Sequence, residues 1–211
     1  MATVRRLLHV YLKDRWLFLT WCLHGAVRPS QFPPPEKASA GQAFVWLDRQ
    51  LDMARTGPMF LRNDAVANLV VESLHRGAEL GHDELAAFVV MANHVHVLLL
   101  PKVAPSRLMK ALKGCTAYQA NRLLGRTGEP FWQRKSYDHW VRDEREWRRI
   151  EFYIENNPVK AGLIARAEDY RWSSKWSPPG VGMSADAART SACATFPLLP
   201  RHKSQPLHHG A

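Results

Sequence analysis

The spacing of apolar and polar positions changes several times along the chain, and each change marks a predicted element. Continuous apolar runs and period-two alternation predict strands, and apolar residues three to four apart predict helices. The first half gives a strand over 16–23, a helix over 43–55, a helix capped by Asn63 or Asp64, and a hairpin of 86–91 and 94–100 that turns at Ala92 and Asn93. The second half gives a helix capped by Ser106 over 107–124, a short strand over 136–142, and a helix over 143–157 that stops before Pro158.

This order of elements predicts the fold class. A hairpin among strands that otherwise alternate with helices is typical of an α+β protein. We expect a mainly antiparallel, ferredoxin-like sheet with helices on one face. Residues 1–176 are the predicted domain, and the aperiodic residues 177–211 are expected to be a flexible tail.

Composition and charge narrow the class of partner. Hydrophobic residues make up 46% and charged residues 23% of 211 residues, as in ordinary globular proteins. Charges interrupt the N-terminal apolar stretches, so we expect no membrane span, no signal peptide and a cytoplasmic location. The net charge of +10 favours a polyanionic partner, and residues 102–149 concentrate it, with twelve Lys and Arg against five Asp and Glu.

Two histidines interrupt the apolar hairpin. Side chains alternate across a strand, so His94 and His96 share one face, about 6 to 7 Å apart, while Val95 and Val97 face the core. This spacing permits both imidazoles to bind one metal ion, but it also fits inert polar residues at a strand edge. A metal site needs at least a third ligand.

The last predicted helix offers a second pair. Tyr153 and Asn157 are four residues apart and share a helix face. A tyrosine hydroxyl can be a covalent nucleophile, and an asparagine carbonyl suits Mg²⁺ or Mn²⁺. The alternatives are a core aromatic residue and a capping residue before proline.

Several separated motifs carry a family resemblance. The segments "VVMANHVHVLLLP", "GRTGEPFWQRKSYDHWVRDEREW", "YIENNPVKAGLI" and "DYRWSS" are found in register between Arg15 and Trp176. In this combination the chain closely resembles the REP-associated tyrosine transposases, which belong to the HUH superfamily of single-strand transposases. The family commonly has proline at the position of Ala92, which is a turn position.

The resemblance implies a mechanism and a partner. It implies that His94, His96 and Asn157 bind Mg²⁺ or Mn²⁺, and that Tyr153 attacks a phosphate of single-stranded DNA at hairpin-forming repeats. The product would be a 5′-phosphotyrosine that permits nicking and rejoining. It leaves open the target sequence, the metal used, the roles of the loop at 26–43 and of the tail, whether the protein is a monomer or a homodimer, and whether Tyr153 serves its own chain's histidines.

The basic stretch then becomes a candidate DNA-binding surface. A charge run is often only a solvated face, and a large aromatic residue often belongs to the core. Tyr118 or Trp132 is a candidate for stacking on an unpaired base. The candidate DNA-binding residues are Lys110, Lys113, Arg122, Arg126, Trp132, Arg134 and Lys135.

Two other functions remain open. A non-catalytic binder of structured DNA or RNA would explain the basic stretch with the same fold. A metal-dependent hydrolase of a small substrate would rest on the histidine pair alone and would leave the charge unexplained.

Overall fold

The computed structural model describes residues 14–27, 40–52 and 56–177. Most of the predicted loop at 26–43, the end of the first predicted helix and nearly all of the predicted tail therefore lie outside the described residues. In chain order the strands and helices are β1 (Leu17–Cys22), α1 (Ala40–Asp52), α2 (Asp64–Glu79), β2 (Asp83–Val90), β3 (His94–Pro101), α3 (Pro105–Leu123), β4 (Tyr137–Trp140) and α4 (Glu144–Lys160). No helix within these ranges is long and apolar enough to cross a membrane.

The four strands form one antiparallel sheet in the order β2-β3-β1-β4. The hairpin of β2 and β3 places β3 in the interior, with β1 as its other neighbour. Thr20 lies opposite His96, and Cys22 lies opposite His94. The predicted α+β class with an antiparallel sheet is confirmed.

Helices cover both faces of this sheet, which corrects the expectation of helices on one face. The connecting helices α2 and α3 pack with Val95 and Val97 on the first face. Helix α4 packs with Phe18 and Leu98 on the second face, and Phe44 of α1 joins this cluster. The physical reason is seen in β1. All six of its residues are buried, and neither face of this strand is polar enough to be exposed to water, so both faces need a covering helix.

The helix ends agree with the sequence in part. Asn63 caps α2, because its Oδ1 accepts hydrogen bonds from the amides of Ala65 and Val66. Ser106 is not a cap, since α3 already begins at Pro105, whose missing N–H costs nothing in a first turn.

Pro158 does not end α4 as expected. The helix runs on to Lys160, and Pro158 is buried inside it. Tyr153 and Asn157 consequently lie within the helix rather than at its terminus.

The segment after α4 closes the outer edge of β2. The amide of Val90 donates to the carbonyl of Trp172 at 2.8 Å, and the amide of Ser174 donates to the carbonyl of Phe88 at 2.9 Å. The Tyr170 hydroxyl donates to the carbonyl of Val90 at 2.9 Å. An exposed edge strand invites pairing with other chains, so this segment protects the edge.

Substitutions at two nearby positions of α4, Phe152 and Ile154, test how this helix packs on the sheet. Ile154 is fully buried, whereas Phe152 is 67% exposed. We expect Ile154→Ala to lower the free energy of unfolding by about 2–5 kcal/mol, because it leaves a cavity beside the sheet. Phe152→Ala should change it by no more than about 0.5 kcal/mol. Urea unfolding followed by circular dichroism measures both, and equal effects would contradict this packing.

Candidate active site

The two histidines lie on the second face of the sheet, and each ring is held by a neighbour. Both side chains have no exposed surface. His96 Nδ1 is 2.7 Å from the Thr20 hydroxyl, and His94 Nδ1 is 2.7 Å from Asn93 Oδ1. The two Nε2 atoms remain for another partner, and orientation of an imidazole through its other nitrogen is typical of metal-binding histidines.

The protonation of His94 follows from its contacts. Asn93 Nδ2 donates to the carbonyl of Leu51 at 3.1 Å, which turns Oδ1 of the same amide towards His94. Since an amide oxygen only accepts, the proton of His94 lies on Nδ1, and Nε2 carries a lone pair. Burial, followed by the charge of His96, lowers the pKa of His94 well below its ordinary value, so this ring is neutral at pH 7.

Helix α1 brings a third candidate ligand, Asp48, that the sequence did not identify. Ligand atoms of Asp48, His94 and His96 all lie within 4.8 Å of one another. Asp48 is only 3% exposed. A signal was present in the sequence, because Asp48 lies four residues after Phe44 and three before Leu51, on the apolar side of its helix. An acid on that side is unusual enough to indicate a buried partner.

Two further charged residues surround Asp48. Lys160 Nζ donates to Asp48 Oδ2 at 2.9 Å and to Asp52 Oδ2 at 3.2 Å. Asp52 Oδ1 lies 3.9 Å from His94 Nε2. Burial and then the charge of Asp48 raise the pKa of Asp52 above its ordinary value.

Tyr153 and Asn157 reach the same point from α4. The Tyr153 hydroxyl donates a short hydrogen bond to Asp48 Oδ1, and Asn157 Nδ2 donates to the Tyr153 oxygen at 3.2 Å. The Tyr153 ring lies 5.5 Å from the His96 ring. The tyrosine therefore stands beside the histidines of its own chain.

The electrostatics keep Asp48 charged and Tyr153 neutral. Burial alone would raise the pKa of Asp48, but the nearby His96 and the hydrogen bonds from Lys160 and Tyr153 outweigh it and hold this pKa well below its usual range. Burial, and then the charge of Asp48, raise the pKa of Tyr153. The hydroxyl is consequently protonated at neutral pH until something else lowers its pKa.

The donor atoms fit a divalent cation. Four buried atoms of these side chains lack a hydrogen-bond partner among the described residues, namely His94 Nε2, His96 Nε2, Asp52 Oδ1 and Asn157 Oδ1. His96 Nε2 lies only 3.2 Å from the Asp48 carboxylate. Buried polar atoms that lack a hydrogen-bond partner are costly, and a bound cation would satisfy the acceptors among them. Mixed nitrogen and oxygen ligands of this kind suit first-row divalent ions such as Mn²⁺.

The predicted DNA-binding residues lie elsewhere. They belong to α3 and the segment after it, and α3 packs on the first face of the sheet, across from the histidines. Lys110, Arg122, Arg134 and Lys135 have exposed side chains. Tyr118 is 61% exposed, and the Arg122 guanidinium lies 5.7 Å from its ring centre.

Three of the predicted residues have other partners. Lys113 Nζ donates to the carbonyls of Gln133 and Arg134, and burial lowers its pKa to about 8. Arg126 stacks over Phe60 at 4.1 Å and pairs with a glutamate. Trp132 is 8% exposed, and its Nε1 donates to the Thr116 hydroxyl, so it serves the core instead of presenting its ring to a base.

Comparison with known proteins matches part of the chain to a transposase family. Residues 59–157 match the family model described as Transposase IS200 like. This range includes His94, His96, Tyr153 and Asn157 but not Asp48. A protein of Haemophilus influenzae that carries the name REP-associated tyrosine transposase is 27% identical over 103 residues, which cover 43% of this chain and 58% of that protein. The chain thus matches less than two thirds of that relative's length.

A solved structure shares the fold. A REP-associated tyrosine transposase bound to a REP hairpin superposes with a TM-score of 0.52 at 18% identity, over 88% of this chain and 96% of the other. The resemblance inferred from the sequence is confirmed by the family model over residues 59–157 and by the Haemophilus influenzae relative, and the solved structure shows a shared fold.

Metal binding can be tested without DNA. We expect Mn²⁺ to raise the melting temperature of the wild-type protein, because the ion binds the folded state. Asp48→Asn should weaken Mn²⁺ binding by about 100-fold or more, since it removes the charged ligand. Asp64→Asn, an exposed acid in α2, is the matched control. Titration calorimetry gives the affinities, and equal Mn²⁺ affinity in Asp48→Asn and wild type would remove Asp48 from the site.

Proposed function

We propose that this relative of the IS200-like transposases nicks and rejoins single-stranded DNA at hairpin-forming repeats, through a 5′-phosphotyrosine on Tyr153. One observation carries the proposal. The Tyr153 hydroxyl is held against Asp48 at the point where the Nε2 atoms of His94 and His96 converge. A nucleophile, its proton acceptor and a set of metal ligands within one chain are what a phosphoryl transfer to protein requires.

His94, His96 and Asp48 would hold the divalent ion, with Asn157 and Asp52 as further oxygen ligands. Bound there, Mg²⁺ or Mn²⁺ supplies a Lewis acid that polarises the scissile phosphate and orients it for in-line attack.

The chain's own residues handle the proton of the nucleophile. Tyr153 donates its hydroxyl proton to Asp48 Oδ1, so Asp48 is the first acceptor when the tyrosine oxygen bonds to phosphorus. Lys160 binds the other oxygen of this carboxylate and keeps it oriented. As the new bond forms, the bond from phosphorus to the 3′ oxygen breaks, and the leaving 3′ oxygen takes up a proton to become a free hydroxyl.

The covalent intermediate explains how strands can be rejoined. The phosphotyrosine keeps the energy of the broken phosphodiester, so a 3′-hydroxyl can reverse the reaction without ATP. The sequence accordingly contains no GxxxxGK[ST] phosphate-binding loop.

The exposed basic residues of α3 are the proposed contact for the hairpin. Lys110, Arg122, Arg134 and Lys135 offer charges to a phosphate backbone, and Tyr118 offers a ring. The hairpin-bound relative supports this partner class, because its fold is shared over most of the chain. Lys113, Arg126 and Trp132 are left out of the proposed surface, since their side chains are engaged within the protein.

A covalent adduct is the direct test. We expect wild type, incubated with hairpin-bearing single-stranded oligonucleotides and Mn²⁺, to give a protein–DNA band on a denaturing gel. Tyr153→Phe should give none, because it lacks the attacking oxygen. Tyr170→Phe, which removes a tyrosine hydroxyl that donates to the Val90 carbonyl away from the candidate site, should still give the adduct.

Two results would count against the proposal. An adduct that persists in Tyr153→Phe would assign the nucleophile elsewhere. Tight hairpin binding by wild type, with no adduct under any metal, would favour the non-catalytic binder of structured nucleic acid.

A further inference from the structure

A cavity of about 1040 Å³ opens beside the proposed nucleophile, between α1, β4 and α4. Asp48 and Tyr153 line one end of it. Aromatic rings form its inner wall: Phe44 and Tyr137 lie 4.7 Å apart, with Phe18 behind them. The volume is at the upper end of the range for ligand sites, roughly 300–1,000 Å³, and exceeds what a metal and one phosphate need.

Two arginines lie at the other end of the cavity, around one buried carboxylate. Glu146, only 6% exposed, lies 2.7 Å from Arg142, 3.2 Å from Arg149 and 3.2 Å from His139. This one carboxylate orients both guanidinium groups. The two arginine side chains are nevertheless 71% and 69% exposed, so part of each fork of N–H donors is available for another anion.

Helix α4 aligns these charges with the nucleophile. Arg149 and Tyr153 are four residues apart and both line the cavity. One helical turn separates them, about 6 Å along the axis. A backbone phosphate next to the one attacked by Tyr153 would therefore contact Arg149. A phosphate farther along the strand would contact Arg142.

We propose that this cavity binds the unpaired nucleotides that flank the scissile phosphate, with a base against Phe44 and Tyr137 and the backbone phosphates on Arg142 and Arg149. The inference rests on the proposed function and adds a substrate subsite to it. Aromatic walls bind the faces of unpaired bases, which a duplex keeps stacked. Arginine forks bind phosphate oxygens in pairs. The hairpin stem and its single-stranded flank would then contact different faces of the sheet, the stem at α3 and the flank at α4.

A charge-matched pair of double variants tests the phosphate contacts. In a Tyr153→Phe background, which prevents cleavage, R142Q/R149Q is compared with R145Q/R148Q. The second pair removes the same charge from exposed positions of α4 that do not line the cavity. Fluorescence anisotropy in Mn²⁺ measures the affinity for a hairpin with a single-stranded flank and for the same hairpin without it.

We expect R142Q/R149Q to weaken binding of the flanked hairpin about tenfold, and to make its salt dependence shallower by roughly 1.4 in log–log slope, the value for two single-strand phosphates. Binding of the bare hairpin should not change beyond the effect of the control pair. If both pairs reduce the preference for flanked over bare hairpin equally, the arginines do not hold the flank.

The ring contact is tested by Phe44→Leu, which keeps an apolar side chain at this position. It should weaken binding of the flanked hairpin, but it should not weaken binding of a hairpin whose flank consists of abasic nucleotides. An equal loss on both DNAs would rule out stacking on Phe44. Thermal melting of each variant shows that the fold is retained.

The outcome for the subsite is separable from that for catalysis. If wild type forms the adduct but R142Q/R149Q matches its control, only the subsite is wrong. If R142Q/R149Q loses the flank preference but wild type forms no adduct, the subsite stands and strand transfer does not.

Discussion

The structure depends on a buried junction where α1, β3 and α4 meet around a carboxylate, two imidazoles and several polar atoms that lack a hydrogen-bond partner. Such groups are costly to bury together. Their positions are nevertheless held from outside, by Thr20 and Asn93 on the imidazoles and by Lys160 on Asp48. Local arrangements that oppose stability are typical of sites where a ligand supplies the missing partner.

The same junction explains why the proposed nucleophile, Tyr153, is restrained. Tyr153 donates to Asp48 and accepts from Asn157, so its oxygen points at the metal ligands before any substrate arrives. Burial and the Asp48 charge raise the pKa of Tyr153, which disfavours the ionised form of this side chain. A cation bound by the acceptors would oppose that effect, because positive charge favours the ionised tyrosine. In the proposed mechanism, the reactivity of Tyr153 would thereby be linked to occupancy of the metal site.

The sheet separates two kinds of surface. Its first face packs against α2 and α3, and the exposed side of α3 presents basic residues to solvent. Its second face carries the junction, the aromatic cavity and the arginines oriented by Glu146. The charge excess of residues 102–149 is therefore divided between the two sides, which a linear count of charges could not reveal.

The sequence by itself determined the strands and helices, the cap at Asn63, and the shared faces of His94 with His96 and of Tyr153 with Asn157, because these follow from local spacing. It was wrong where local rules met tertiary packing: α4 continues through Pro158, and helices cover both faces of the sheet. Only the tertiary structure brought in Asp48, buried Trp132 and tied Lys113 to backbone carbonyls. Asp48 meets His94 across 46 residues of chain, and no periodic pattern reports such a contact. Burial and long-range pairing are set by which faces pack together, and that is decided by the whole fold.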